Sequence, residues 1–147
     1  MFKIFFIILF SFQTVLFSLE IIGNFETITL NDFNASNVEA KIDTGAIYSA
    51  LHCSYIKEVN GTIVEFSPLT LNQVFQKKII KIVNIKSSNG QIEQRFIIDS
   101  IITINNRSYP ILFSLTKRDK MQYKILIGTD FLKNRFLVDV GKQILKD

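Results

Sequence analysis

Cysteine and histidine are almost absent from this chain, and their scarcity removes whole classes of chemistry. Cys53 is the single cysteine, so no intramolecular disulfide can form. His52 is the single histidine. A zinc centre takes four ligands rich in His and Cys, three of them from the protein when the site is catalytic. One His beside one Cys cannot supply that set within one chain, and no metal is expected. The pair also makes a poor nucleophilic dyad, because neighbouring residues on a strand point to opposite faces. Cys53 is expected in the core. No Gly-rich loop is followed by Lys and Ser/Thr, so a phosphate cradle for ATP is lacking, and no cofactor is expected. A dense basic block is missing too. The net charge is +4, and Lys77, Lys78 and Lys81 are scattered along a strand-like stretch as a solvated face. Nucleic acid is not an expected partner. There are no internal repeats or linkers, and 147 residues suit one domain.

Apolar sequence is plentiful, at 48% of residues. Part of it is concentrated at the start. Met1-Phe2-Lys3 is a short basic lead, and Ile4 to Phe17 is broken only by Ser11, Gln13 and Thr14. This run is shorter than the ~20 residues of a membrane-spanning helix and has the length of a signal-peptide core. Residues 1–18 therefore read as a secretory signal cut near Ser18, and residues 19–147 as the folded domain. The expected location is the periplasm. The alternative is an uncleaved inner-membrane anchor, which would make the membrane a partner. Losing residues 1–18 removes Lys3 alone among charged groups, which lowers the net charge to +3.

The remainder alternates in the manner of strands. Strands are predicted at Glu26 to Leu30, Val38 to Ile42, Ser49 to His52 and Thr62 to Phe66. The Asn60-Gly61 pair predicts a type I′ turn, because both residues tolerate positive φ. A long hairpin is predicted with arms Ile79 to Ile85 and Ile92 to Ile98 and a tip at Ser87-Ser88-Asn89-Gly90. Another turns at Asn105-Asn106. Thr129 to Lys133 is the one helical stretch expected after the leader, and Arg135 to Val140 a last strand.

The most specific signal is Asp43-Thr44-Gly45-Ala46, placed directly after the strand-like run Asn37 to Ile42. Its residue types suit acid–base chemistry. An Asp can activate water, a Thr hydroxyl can brace a tight loop, and Gly lets the backbone turn and approach reacting groups. A strand-end Asp also commonly starts a turn, using its side chain as a local acceptor. The segment Ala40-Lys41-Ile42 followed by Asp43 to His52 resembles the signature of the bacterial retropepsin-like family that carries the label "ATP-dependent zinc protease". Leu115 to Met121, Ile125-Leu126-Ile127-Gly128 and Arg135 to Asp139 resemble its later block, and Ile22-Gly23 and Leu30 agree upstream. Two positions depart from that family: Ile47 stands where a basic residue is common, and Thr129 where Arg is common.

The resemblance implies an all-β, retropepsin-like acid protease barrel with one short helix near the C-terminus. It implies an aspartic endopeptidase in which Asp43 is catalytic, Thr44, Gly45 and Ala46 support its loop, and Ile127 and Gly128 pack against that loop. Such enzymes use two carboxylates sharing a proton. A chain with one Asp-Thr-Gly therefore implies a homodimer with Asp43 from each copy at the two-fold axis, acting on a peptide or protein substrate. Arg118 and the hairpin tip residues Ser88, Asn89 and Gly90 are candidate substrate contacts. Asp99, Asp119, Asp130 and Asp139 are candidates for a second carboxylate within one chain. Asp119 reads rather as an ion-pair or turn partner of Arg118 or Lys120, and Asp130 as a helix-start residue. The alternative function is a non-catalytic, exported module that binds a peptide or partner by strand addition.

Overall fold

The computed structural model describes residues 19–86 and 90–142. Within them lie β1 (Glu20–Ile22), β2 (Phe25–Leu30), β3 (Ala35–Ile42), β4 (Ser49–Glu58), β5 (Ile63–Pro68), β6 (Phe75–Lys78), β7 (Lys81–Lys86), β8 (Ile92–Ile104), β9 (Arg107–Thr116), β10 (Ile125–Ile127), α1 (Thr129–Leu132) and β11 (Phe136–Val138). The segment 1–18 and the tip residues Ser88 and Asn89 lie outside the described residues. Among the described residues no helix is long and apolar enough to cross a membrane.

Six strands close into a barrel in the order β10, β3, β2, β8, β9, β4, with β4 returning to β10. Closure leaves these strands without free edges. β10 supplies only three residues, yet it completes the ring. Ile127 pairs with Ile42 in parallel, while Leu126 pairs with Ala50 in antiparallel. It is thus wedged between the end of β3 and the start of β4. The barrel fills with fully buried Leu30, Leu51, Ile102 and Phe113. Within the same core Phe33 stands edge-on to Phe66 and Phe75, with ring centres 5.6 and 5.1 Å apart. Offset and edge-on rings add stabilisation beyond their buried area.

The turns follow local chemistry with one correction. Asn105 and Asn106 both have positive φ, at 48° and 62°, as a two-residue hairpin turn requires. At Asn60-Gly61 only Gly61 lies in the left-handed region, with φ 77°. Asn60 instead uses its side chain: Oδ1 accepts from the N–H groups of Thr62 and Ile63. The tip is an Asn-capped loop, not a type I′ turn, because one side-chain acceptor satisfies two backbone donors. A further difference concerns β8. Its 13 residues form one continuous strand serving both predicted hairpins. Residues from Lys81 to Lys86 pair with its first half, and β9 pairs with it from Ile97 onward.

One short element, β1, escapes the alternation rule, while β11 falls inside the strand predicted at Arg135 to Val140. β1 pairs in parallel with β11, Ile21 opposite Leu137. Strands of three residues are too short to show a period. Tyr109, Phe131 and Phe136 hold this pair against the barrel, with ring centres 5.4 to 6.0 Å apart.

Candidate active site

β3 buries Ala40 and Ile42 and ends one residue before Asp43. The Asp43 N–H donates to the Ile127 carbonyl at 2.9 Å. The β3–β10 ladder therefore runs one residue past the strand and fixes the Asp43 backbone. The loop then closes on itself. Asp43 Oδ1 accepts the Gly45 N–H at 3.0 Å, and the Ala46 N–H reaches the Asp43 carbonyl at 3.3 Å. One carboxylate oxygen is thus engaged, and among the described residues Oδ2 has no hydrogen-bond partner. Gly45 has no positive φ. A Cβ there would stand 3.4 Å from Asp43 Oδ1, an ordinary contact distance, so neither space nor the turn demands the glycine. Thr44, Gly45 and Ile47 are exposed, Ile47 by 67%.

The far side of the loop lies on the start of α1. Four N–H groups at a helix start lack intrahelical partners, and here the loop supplies acceptors. The Thr129 N–H and hydroxyl both donate to the Ala46 carbonyl, at 2.9 and 3.1 Å. The Asp130 N–H donates to Ile47 O at 3.0 Å. Ser49 Oγ accepts the Gly128 N–H at 3.0 Å, and Ser114 Oγ donates to the Ser49 carbonyl at 2.9 Å. Gly128 must be glycine for reasons of space: a Cβ would lie 2.6 to 2.8 Å from Tyr48 and Ile47 backbone atoms. Asp130 lies in the first turn of α1 as expected, while the N-cap, Gly128, carries no side-chain cap hydrogen bond. Asp130 Oδ1 faces the Ser49 hydroxyl at 3.4 Å, and burial pushes its carboxyl pKa up.

The strap 117–124, between β9 and β10, brings Arg118 to the same region. Its guanidinium is partly buried, with Nε donating to the Tyr123 carbonyl at 3.0 Å. It lies within electrostatic reach of Arg95, Asp43 and Glu93. Burial lowers its pKa first, Arg95 adds to that, and the two carboxylates oppose it. This is not a loop charge free in solvent. Asp119 does not pair with Arg118 or Lys120: its Oδ1 sits 3.6 Å from His52 Nε2. Lys124 ties the strap instead, with Nζ donating to the carbonyls of Arg118 and Asp119.

The β7–β8 hairpin carries Lys81, Val83, Ile85, Glu93 and Arg95 on one face, since directly paired residues share a face. Lys81 Nζ stands 4.8 Å above the Tyr48 ring. Glu93 accepts from the Thr116 hydroxyl at 3.0 Å, and from Arg95 Nε at 2.8 Å. That face is therefore turned to the Asp43 loop and the strap. Gly90 is exposed with φ 84°. Nor are the lysines all solvated: Lys77 pairs with Asp32 and donates to the Asp99 carbonyl. A cavity of about 340 Å³ opens behind the loop, among Tyr48, Lys81, Asp130, Phe131 and Arg135. Asp43 does not line it.

The residues do not fit a zinc site. Among the described residues no three His, Cys, Asp or Glu side chains converge. His52 Nδ1 is taken by the Arg118 N–H at 2.9 Å. Cys53 is fully buried, and burial pushes its thiol pKa up, away from the thiolate a metal needs. Ser49, and the links from His52 to Arg118 and from Lys81 to Tyr48, were not evident in the sequence. No motif marks them, because each joins segments far apart in the chain.

A closed six-strand barrel with a strand-end Asp-Thr-Gly loop resting on an Ile-Gly turn and a short helix defines a retropepsin-like fold of the aspartic-protease kind. The family described as RimB-like, retropepsin-like aspartic endopeptidase RimB, matches residues 21–147, and the chain belongs to it. Over 128 residues the chain is 31% identical to a protein of Shewanella halifaxensis named probable alpha-L-glutamate ligase, covering 81% of this chain and 28% of that protein. A Desulfotalea psychrophila protein of the same name is 26% identical over 133 residues, 84% of this chain and 29% of that one. The chain thus spans less than a third of the length of these curated relatives. Its backbone also resembles the crystal structure of Lpg0085 from Legionella pneumophila, a protein of unknown function. The TM-score is 0.72 at 27% identity, over 87% of this chain and 98% of that one.

Proposed function

We propose that the chain is an aspartic endopeptidase that hydrolyses peptide bonds as a homodimer. The observation that carries this reading is the state of Asp43. Its backbone is held by Ile127, one carboxylate oxygen is oriented by Gly45, and its loop is exposed at Thr44 and Gly45. In the pair, one Asp43 takes a proton from water as the water oxygen attacks the scissile carbonyl. The other gives its proton to the carbonyl oxygen. Collapse of the tetrahedral intermediate breaks the C–N bond, and a proton passes to the leaving amine. Two nearby carboxylates share one proton because both cannot ionise cheaply.

Two features support the second copy. The Thr44 hydroxyl has no hydrogen bond within the described residues, although it sits in the loop that would meet its symmetry mate. Ile21 and Leu137 stand opposite each other on the β1–β11 sheet, each 52% exposed. An apolar pair of this kind is a natural seam for a second copy. The relatives named probable alpha-L-glutamate ligase, together with Arg118 and Arg95 near the loop, make a glutamate-bearing peptide the first substrate to try.

The test is hydrolysis of a diverse peptide library that includes glutamate-rich members, by wild type and Asp43→Asn, with and without a chelator. Cleavage lost in the variant and untouched by chelator supports the reading. Binding without cleavage by wild type moves the protein to the peptide-binding alternative.

A further inference from the structure

His52 is almost entirely buried, 2% exposed, and the peptidase chemistry has no use for it. It nevertheless holds both ends of the strap 117–124. Its backbone N–H donates to the Lys124 carbonyl at 2.8 Å, and its ring Nδ1 accepts the Arg118 N–H at 2.9 Å. Lys124 closes the circuit through the Arg118 and Asp119 carbonyls. The strap carries Arg118, whose guanidinium lies within electrostatic reach of Asp43.

We infer that His52 is a positioning residue: its neutral ring latches the strap that sets Arg118 beside Asp43, and a proton on Nδ1 opens the latch. The inference rests on the peptidase reading for its consequence in catalysis, while the latch itself stands on geometry. A protonated imidazole has two donors and no acceptor. The Arg118 N–H would then face an N–H, and a buried charge would have only the solvent-exposed Asp119 beside it, which is costly. The surroundings oppose protonation. Lys124 and Arg118 are cationic neighbours, and Asp119, at 3.6 Å from Nε2, is the facing acid. Asp119 is 66% exposed and offsets little. From β9 the neighbour is Thr116, whose hydroxyl goes to Glu93. From beyond β5 it is uncharged Leu69, which donates its N–H to the His52 carbonyl.

Burial keeps the ring's pKa below its ordinary 6.5. The unfolded chain therefore takes up this proton first. The latch contributes stability above 6.5 that is lost as pH falls through the lower, folded value.

Two arms test this on the full chain. Nitrogen-15 NMR of wild type, taken from neutral pH down through the histidine range, reads the ring and the Arg118 amide together. Nδ1 without a proton at neutral pH, and both signals titrating with one midpoint, are expected. An Arg118 amide that stays still while the ring titrates overturns the latch. The second arm compares pH profiles of hydrolysis for wild type, His52→Leu and His52→Asn. Leu removes the acceptor, and kcat is expected to fall by roughly a hundredfold. Asn places Oδ1 where Nδ1 stood and cannot titrate; it is expected to rescue most of that loss and to lack the acid-side drop assigned to His52. A His52→Asn profile with the wild-type acid limb overturns the proposal. If wild type cleaves nothing, the peptidase reading fails, and the NMR arm alone decides the latch.

Discussion

Ser49 Oγ accepts the Gly128 N–H at 3.0 Å, joining the first residue of β4 to the residue that follows β10. Ser49 is fully buried. Without it the buried Gly128 amide would lose its hydrogen-bond partner. Ser49→Ala is therefore expected to cost about 1–3 kcal/mol of stability. Urea unfolding of the two proteins reads this. A change within error would mean that water replaces the hydroxyl.

Gly128 itself allows no side chain. A methyl would overlap the Tyr48 carbonyl at 2.6 to 2.8 Å, and backbone cannot move aside as a flexible side chain can. Gly128→Ala is expected to destabilise by about 1–3 kcal/mol and to displace the Asp43 loop. Loss of hydrolysis beyond the loss of folded protein, measured at a temperature where both remain folded, separates the two effects.

Asp43→Asn should leave the fold alone, since Asn Oδ1 can still accept the Gly45 N–H. Its thermal midpoint should match wild type, within about 0.5 kcal/mol. Peptide hydrolysis should fall by roughly a thousandfold. An active Asp43→Asn protein would remove Asp43 from the mechanism.

Asp130 makes a signed statement about pH. Burial raises its folded carboxyl pKa above 3.8, against smaller opposing contributions from Phe131, Ser49 and Lys81. The folded state then holds this proton longer than the unfolded chain does. Stability from this group is full below 3.8 and is lost as pH rises through the folded value. Asp130→Asn should remove that slope and be more stable than wild type at neutral pH, in guanidinium titrations run at several pH values. The same slope in both proteins would assign it elsewhere.

The proposed dimer seam can be tested on its own. Leu137 is exposed in the protomer, so Leu137→Glu leaves the monomer folded. At a closed β1–β11 seam it would bury an unpaired charge and weaken association by about 3 kcal/mol, more than a hundredfold in the dissociation constant. Sedimentation velocity together with hydrolysis reads both. A monomeric wild type that still cleaves would sink the two-copy mechanism.

Much of the barrel was legible because its signals are local. The alternation through Val38 to Ile42 and from Ile92 onward put apolar side chains on one face, and Asn105-Asn106 marked a turn through its tolerance of positive φ. Resemblance brought Asp43 and Gly128 together before any geometry was known. The Asn60 loop was misread because a side-chain acceptor, not a backbone preference, shapes it. β1 was missed because three residues show no period, and its partner β11 lies more than a hundred residues away.

The sequence by itself determined the class of strands, the single Asp-Thr-Gly and the poverty in metal ligands, since these are matters of residue type and short-range order. Only the tertiary structure decided that Ser49 would brace Gly128, that Asp119 would turn to His52, and that Arg118 would stand half-buried within reach of Asp43. Each of these joins segments brought side by side by barrel closure. A hydrogen bond or a charge contact depends on distances of a few ångströms, and spacing along the chain does not encode them.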